Sequence, residues 1–180
     1  MSGRSSGSAR SWSWYRLADD VANELVTDSG VGPGDLVLDL GAGDGAITHR
    51  VARTGARVIA FELHPERSRE LRARYDGHRR VKVVRADVRD LRLPTRPFRV
   101  VANPPFAGVS AVLVRLTARG SRLERADLIV PVSVARVWSD RLATRPGPRV
   151  VTSTRRVRRS AFVPRPRIDC CVMVIERRRR

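Results

Sequence analysis

The sequence has almost no lysine: of 36 basic residues among 180, only Lys82 is not arginine. It is also poor in cysteine, with two, and in histidine, with three. Cys170 and Cys171 are adjacent, which is poor geometry for a bridge and gives no zinc-ligand spacing; they read as two faces of one strand. His49, His64 and His78 stand alone with no His/Glu/Cys pattern around them, so no metal is expected. No apolar run approaches the ~20 residues needed to cross a bilayer. The Ser/Gly/Arg-rich start lacks the apolar stretch of a secretory signal. A membrane protein and a disulfide scaffold are therefore not expected, and a soluble, cytoplasmic protein is.

What is abundant is positive charge, +18 overall, and its position is more telling than its total, because a GC-rich coding sequence alone inflates arginine. Residues 1–16 hold three Arg and no acid; residues 155–180 hold ten Arg against Asp169 and Glu176. The two ends together carry +11 and the longer middle only +7. That pattern points to a polyanionic partner, since guanidinium forks suit phosphate and stack on exposed bases. Hydrophobic residues at 42% suffice for a packed interior, and the length suits one domain. The expected division is a flexible basic arm over 1–13, a folded domain over 14–176 and a basic tail over 177–180.

Apolar residues at 17, 18, 21, 22, 25 and 26 recur with a helical period, and Gly30, Gly32, Pro33 and Gly34 end the run. Strands are expected at Leu36 to Leu40, Arg57 to Leu63, Val81 to Arg85, Arg99 to Ala102 and Leu128 to Val132. Helices are expected after Ala46, from Pro65 to Tyr75 and from Ser110 to Arg119. Such alternation specifies an α/β fold with a mainly parallel sheet covered on both faces. The last two strands, Val150 to Val157 and Cys170 to Glu176, have no helix between them and are expected to form an antiparallel hairpin at the edge.

The turn Asp39-Leu40-Gly41-Ala42-Gly43-Asp44-Gly45 lies between a strand and a helix, where glycines let backbone approach a ligand. Gly41, Gly43 and Ala46 satisfy the dinucleotide fingerprint, and Glu62 stands where a ribose-binding acid belongs. Asp44 discriminates. A carboxylate inside the loop would repel a pyrophosphate, whereas S-adenosylmethionine has no phosphate and offers a sulfonium and an ammonium that suit Asp39 and Asp44. Glu62 can then accept from the ribose hydroxyls, Leu63 pack on the adenine face, Asp87 accept from the adenine amine, and the Val88 N–H reach the ring. A nicotinamide cofactor and a purely structural glycine turn are the alternatives, and for Asp87 alone a turn cap.

Asn103-Pro104-Pro105-Phe106 follows the fourth strand directly. An exocyclic aromatic amine is a poor nucleophile because its lone pair is delocalised into the ring. Methylation requires its hydrogens to be committed to acceptors so that the lone pair turns towards the methyl group. The Asn103 side-chain oxygen and the Pro104 carbonyl are two such acceptors, stiffened by the prolines, and Phe106 can stack on the base. A proline-rich turn with a core phenylalanine is the bland alternative.

With these motifs the sequence resembles the rRNA adenine N(6)-methyltransferase family, which includes the Erm-type macrolide-resistance methyltransferases and the small-subunit dimethyladenosine transferases. The matching pieces are the loop 39–45, Glu62, Ala86-Asp87, Asn103-Pro104-Pro105-Phe106, and Phe162-Val163-Pro164-Arg165-Pro166-Arg167-Ile168-Asp169, similar to the family's Phe-x-Pro-x-Pro-x-Val-Asp. The resemblance runs from about Ser13 to Glu176. It implies a Rossmann-like class I core in which Gly41, Glu62, Asp87 and Asn103 contact S-adenosylmethionine. Three departures stand out: Asn-Pro-Pro-Phe replaces Asn-Leu/Ile-Pro-Tyr; the Ser-Gln-Asn-Phe-Leu pattern survives as Ser13-Trp14-Tyr15-Arg16-Leu17; and the family's carboxyl-terminal helical domain is not expected. By the second match Tyr15 and Leu17 would be at the cofactor. The third resembles shortened Erm-type proteins and implies RNA binding by the arginine-rich ends: Arg4, Arg10, Arg155, Arg156, Arg158, Arg159, Arg165, Arg167 and Arg177, Arg178, Arg179 and Arg180.

The implied activity is methyl transfer to an unpaired adenine in large-subunit rRNA, with macrolide-type resistance as the result, carried out by a single copy of the chain. Kept beside it are a small-subunit rRNA adenine dimethyltransferase, a methyltransferase for a guanine amine or protein glutamine, and a nonenzymatic rRNA-binding factor.

Overall fold

Leu36–Leu40 is buried along its whole length, as a strand flanked by neighbours and covered on both faces must be. It is the second strand, β2, of the computed structural model, which describes residues 14–144 and 147–178. The order is β1 (Arg16–Leu17), α1 (Asp19–Ser29), β2, α2 (Ala46–Arg53), β3 (Arg57–Phe61), α3 (Pro65–Arg74), β4 (Val81–Val84), β5 (Phe98–Ala102), α4 (Val109–Thr117), β6 (Leu123–Pro131), α5 (Val132–Thr144), β7 (Arg149–Val157), β8 (Phe162–Val163) and β9 (Cys170–Arg177).

Seven strands form one sheet in the order β4-β3-β2-β5-β6-β9-β7. The first five are parallel; β9 pairs antiparallel to both β6 and β7. The expected antiparallel pair at the edge is therefore present, with β7 outermost. Side chains alternate between two cores. Val37, Val58, Ala60, Val101, Ile129 and Val172 pack under α1, α2 and α3, while Leu36, Leu38, Leu40, Val100, Leu128 and Met173 pack under α4 and α5. Cys170 and Cys171 fall one on each side, as expected of two faces of one strand.

Three local expectations need correction. Leu17 does not open the first helix: it is in β1, paired with Phe162, and α1 begins at Asp19 with Asp19 and Asp20 in its first turn. β6 begins at Leu123, not Leu128, because Arg125 bridges Asp127 at 2.7 Å and Glu176 of β9 at 2.8 Å, making a polar rung inside the sheet. Val132 ends no strand; it starts α5, a helix hidden by the β-branched Val132, Val134 and Val137. Its helical signal is Ala135, Trp138 and Leu142, which face the sheet at three- and four-residue spacing.

β1 and β8 form a separate two-stranded sheet, Leu17 opposite Phe162, extended by an Ala18 N–H to Ala161 carbonyl bond of 2.7 Å. Phe162 is 1% exposed and plugs the core beneath α1, so the late Phe-Val-Pro motif ties the start of the described chain down. Replacing Phe162 with Ala should destabilise the fold by about 3–5 kcal/mol in urea unfolding, whereas Val163→Ala beside it, at an exposed position, should stay within about 0.5 kcal/mol. Equal costs at the two positions would show that Phe162 is not the plug.

Candidate functional site

β2 has β3 on one side and β5 on the other, so the loops leaving β2 and β5 diverge and open a crevice at the carboxyl ends of the strands. A cavity of about 240 Å³ lies there, lined by Trp14, Tyr15, Gly41, Glu62, Leu63, Arg67, Asp87, Val88, Arg89, Asn103, Pro104, Pro105, Ala107 and Gly108. A side annex of about 20 Å³, room for one water-sized group, is bounded by Tyr15, Leu17, Asp39, Gly41, Asp44 and Asn103 among others.

The glycine loop is anchored from below: the Gly41 and Ala42 N–H groups donate to the Phe61 carbonyl at 2.8 and 2.9 Å. Gly41 has φ +82°, and a Cβ there would meet Pro105 Cδ at 2.8 Å, so only glycine lets this loop and the Asn103-Pro104-Pro105-Phe106 turn approach each other. Gly43 has φ +59°, and the Trp14 indole lies where its Cβ would project.

Glu62 is buried, its Oε2 accepting from Gly43 N at 2.8 Å and its Oε1 from His64 N at 2.8 Å and Arg67 Nη2 at 3.3 Å. Asp87 caps the short turn Val88–Asp90 by accepting from Arg89 N, and its carboxylate also takes a forked contact from the Arg89 guanidinium. The two acids expected to receive ribose and adenine thus each carry an arginine at the cavity rim. Neither Arg67 nor Arg89 was evident from the motifs; the signal was an arginine a few residues past each acid. Trp14, in the sequence only a departure from a pattern, lines the cavity with Arg67 stacked 4.9 Å from its ring centroid.

Asn103 is oriented by its amide nitrogen, which donates to the Tyr15 carbonyl at 3.0 Å. Its Oδ1 is buried and has no partner among the described residues. Tyr15, Gly41, Glu62, Leu63, Asp87, Val88, Asn103 and Pro104 come together around the main cavity, with Leu17 and Asp44 at the annex. Asp44 is not free: its Oδ2 accepts from Arg16 Nε at 2.7 Å. Phe106 does not line the cavity. Its ring stacks on Tyr15, centroids 5.0 Å apart, so the face expected to receive a base is engaged on one side already.

Asp39 is 1% exposed; Oδ2 accepts from Thr48 Oγ1 at 2.6 Å and Oδ1 has no partner. Desolvation raises its carboxyl pKa to about 7, against the lowering effect of the Thr48 bond. These residues fit S-adenosylmethionine: a buried oxygen without a donor among the described residues, Asp39 Oδ1, a glycine cradle that no Cβ could enter, and carboxylates at the annex suited to an ammonium. Among the described residues no group of three or more His, Cys, Asp or Glu could hold a metal ion.

The described members of the arginines expected to hold RNA divide into three sets. Arg155 pairs with Glu24 and Asp28, Arg158 with Asp20, and Arg156 and Arg159 with Asp169, so these four carry carboxylate partners. Arg165 and Arg167 are exposed in the segment between β8 and β9. Arg177 and Arg178 lie at the other end of β9, beside Arg149 and away from the cavity. Arg4, Arg10, Arg179 and Arg180 lie outside the described residues.

Residues 15–180 match the family model described as ribosomal RNA adenine dimethylase. An rRNA methyltransferase of Streptomyces thermotolerans is 36% identical over 154 residues, 81% of this chain and 51% of the relative. Ribosomal RNA small subunit methyltransferase A of Thermotoga petrophila is 29% identical, over 90% of this chain and 65% of its own length. The chain thus spans about half to two thirds of these relatives. The crystal structure of the 23S rRNA methyltransferase ErmE superposes with a TM-score of 0.73 at 24% identity, covering 90% of this chain and 69% of that one.

A carboxyl whose native pKa lies above its unfolded value of 3.8 stabilises the fold while protonated, and that contribution is lost as pH rises towards the native value of about 7. Relative to Asp39→Asn, the wild-type protein should therefore lose stability between about pH 4 and pH 7, at up to about 1.4 kcal/mol per unit. Urea unfolding at pH 5 and pH 8 tests this; parallel behaviour of the two proteins would mean that Asp39 ionises freely.

Proposed function

Given that the chain belongs to the ribosomal RNA adenine dimethylase family, we propose that it methylates the exocyclic N6 amine of an unpaired adenine in large-subunit rRNA, using S-adenosylmethionine. The observation that carries this is the Asn103 side chain: its amide nitrogen is committed to Tyr15, while its buried oxygen lacks a donor. That oxygen is an acceptor held ready for one hydrogen of an amine.

The cofactor supplies an activated methyl group on a sulfonium. Glu62, Leu63, Asp87 and Val88 would hold its nucleoside end, and Gly41 with Asp39 and Asp44 its amino-acid end. The chain's own task is alignment. Asn103 Oδ1 and the Pro104 carbonyl accept the two N–H bonds of the amine, and they bind it more strongly as positive charge grows on the nitrogen. A high-pKa base is unnecessary. Phe106, braced by Tyr15, offers its remaining face to the splayed base. Added bulk on the adenine would then block macrolide, lincosamide and streptogramin antibiotics. The protein would act as a single copy, and the substrate would be met in the cytoplasm.

Similarity to the Thermotoga petrophila small subunit methyltransferase supports a second reading, with the adenine in small-subunit rRNA. Mapping new reverse-transcription stops in rRNA from cells expressing the protein separates the two by position. In the same assay Asn103→Ala should lower methylation by on the order of 100-fold or more, while the variant still binds S-adenosylmethionine in calorimetry. Full activity of the variant would refute the role given to Asn103.

A further inference from the structure

β9 runs against its parallel neighbours, so it begins at the cavity edge of the sheet, with Cys170 beside Pro131 and Val157, and ends at the opposite edge, with Arg177 beside Arg149. At about 3.3 Å per residue its ends are about 23 Å apart. At the far edge, α4, α5 and the start of β7 enclose a second cavity of about 370 Å³, lined by Arg119, Trp138, Arg141 and Arg149 among others.

Arg149 is the unusual member. It is 3% exposed; Nη2 donates to the Ser121 carbonyl at 2.9 Å and Nη1 to the Pro148 carbonyl at 3.3 Å, while the buried Nε–H has no acceptor among the described residues. Burying a guanidinium with no acid beside it costs several kcal/mol, and such charges are ordinarily matched by an anion. Around it stand more cations. Arg119 and Arg141 share the cavity, Arg177 is its cross-strand neighbour, and Arg178 donates to the Arg149 and Leu142 carbonyls. Among the described residues none of these five forms an ion pair, and two carboxylates of the neighbouring strands, Asp127 and Glu176, are held by Arg125.

The contrast with the cavity end is sharp: there Arg155, Arg156, Arg158 and Arg159 are paired with the protein's own acids. At the far edge five arginines without an ion pair gather around one cavity, and three of the five come from the middle of the sequence. Arg141 covers the Trp138 ring at 4.7 Å, so the cavity offers no open aromatic face for a base. Its chemistry suits backbone phosphate, which arginine forks bind without reading sequence.

We propose that the cavity between α4, α5 and β7 anchors phosphates of the RNA substrate remote from the base being modified. This rests on the proposed rRNA activity and deepens it: the RNA contacts both edges of the sheet, so affinity depends on an element that a minimal target hairpin lacks.

Two RNAs test the proposal, a large-subunit rRNA transcript and an excised hairpin that keeps the mapped adenine but is too short to reach both edges. Arg119→Gln/Arg177→Gln alters two exposed residues and leaves the cofactor cavity and buried Arg149 intact. For the transcript, the slope of log affinity against log salt should flatten by about 1.5 in the variant. Hairpin affinity and S-adenosylmethionine binding should match the wild type. An unchanged transcript slope, or an equal change on both RNAs, would overturn the anchor. Inorganic phosphate that binds the cavity without weakening transcript binding would identify a small-anion site and also overturn it. Failure of the wild-type protein to methylate either RNA, with the slopes as expected, would count against the reaction and leave the anchor standing.

Discussion

The hydrogen bond from Asn103 to the Tyr15 carbonyl is the contact on which the site depends. It joins the loop after β5 to the segment leading into β1, which β8 fastens from the other side. Three stretches far apart in sequence, around residues 15, 103 and 162, are thereby locked into one frame. An amide free to rotate could present nitrogen or oxygen to a substrate; once its nitrogen is spent on a backbone carbonyl, only the oxygen faces the cavity. Pro104 and Pro105 stiffen the turn after Asn103, and Gly41 gives them room to come close.

Charge is distributed unevenly along the sheet. At the cavity edge, acids and arginines neutralise each other, in the pairs Glu62–Arg67, Asp87–Arg89 and Asp44–Arg16 and in the ion pairs that tie α1 to β7. Each exposed pair is worth little in stability. Their collective effect is to keep the cavity mouth from being a strongly positive funnel, so that the +18 of the whole chain is a poor guide to where a polyanion is held.

Much of the fold and the site is legible in the sequence, and for identifiable reasons. Strongly periodic or glycine-punctuated segments such as Leu36 to Gly45 and Pro65 to Tyr75 announce themselves locally, and the chemistry of Asn103, Glu62 and Asp87 follows from residue type at a strand end. The hidden features depend on distant partners. α5 looks like strand because its valines disfavour helix, and only burial of Trp138 against the sheet decides otherwise. Leu17 looks helical because its partner, Phe162, lies 145 residues away. No composition argument could foresee that antiparallel β9 carries Arg177 away from the cavity, or that Arg155 and Arg158 are spent on the acids of α1.

The outermost position of β7 has its own consequence. A strand with only one neighbour exposes a row of backbone donors and acceptors to any other chain able to zip onto them. Residues 152–154 of β7 are small, polar and exposed, with little to discourage such an encounter, but Arg155 and Arg156 come immediately after them, and stacking a second copy there would force like guanidinium groups together. Edge strands are commonly guarded by charged side chains, and at β7 that position is held by Arg155 and Arg156.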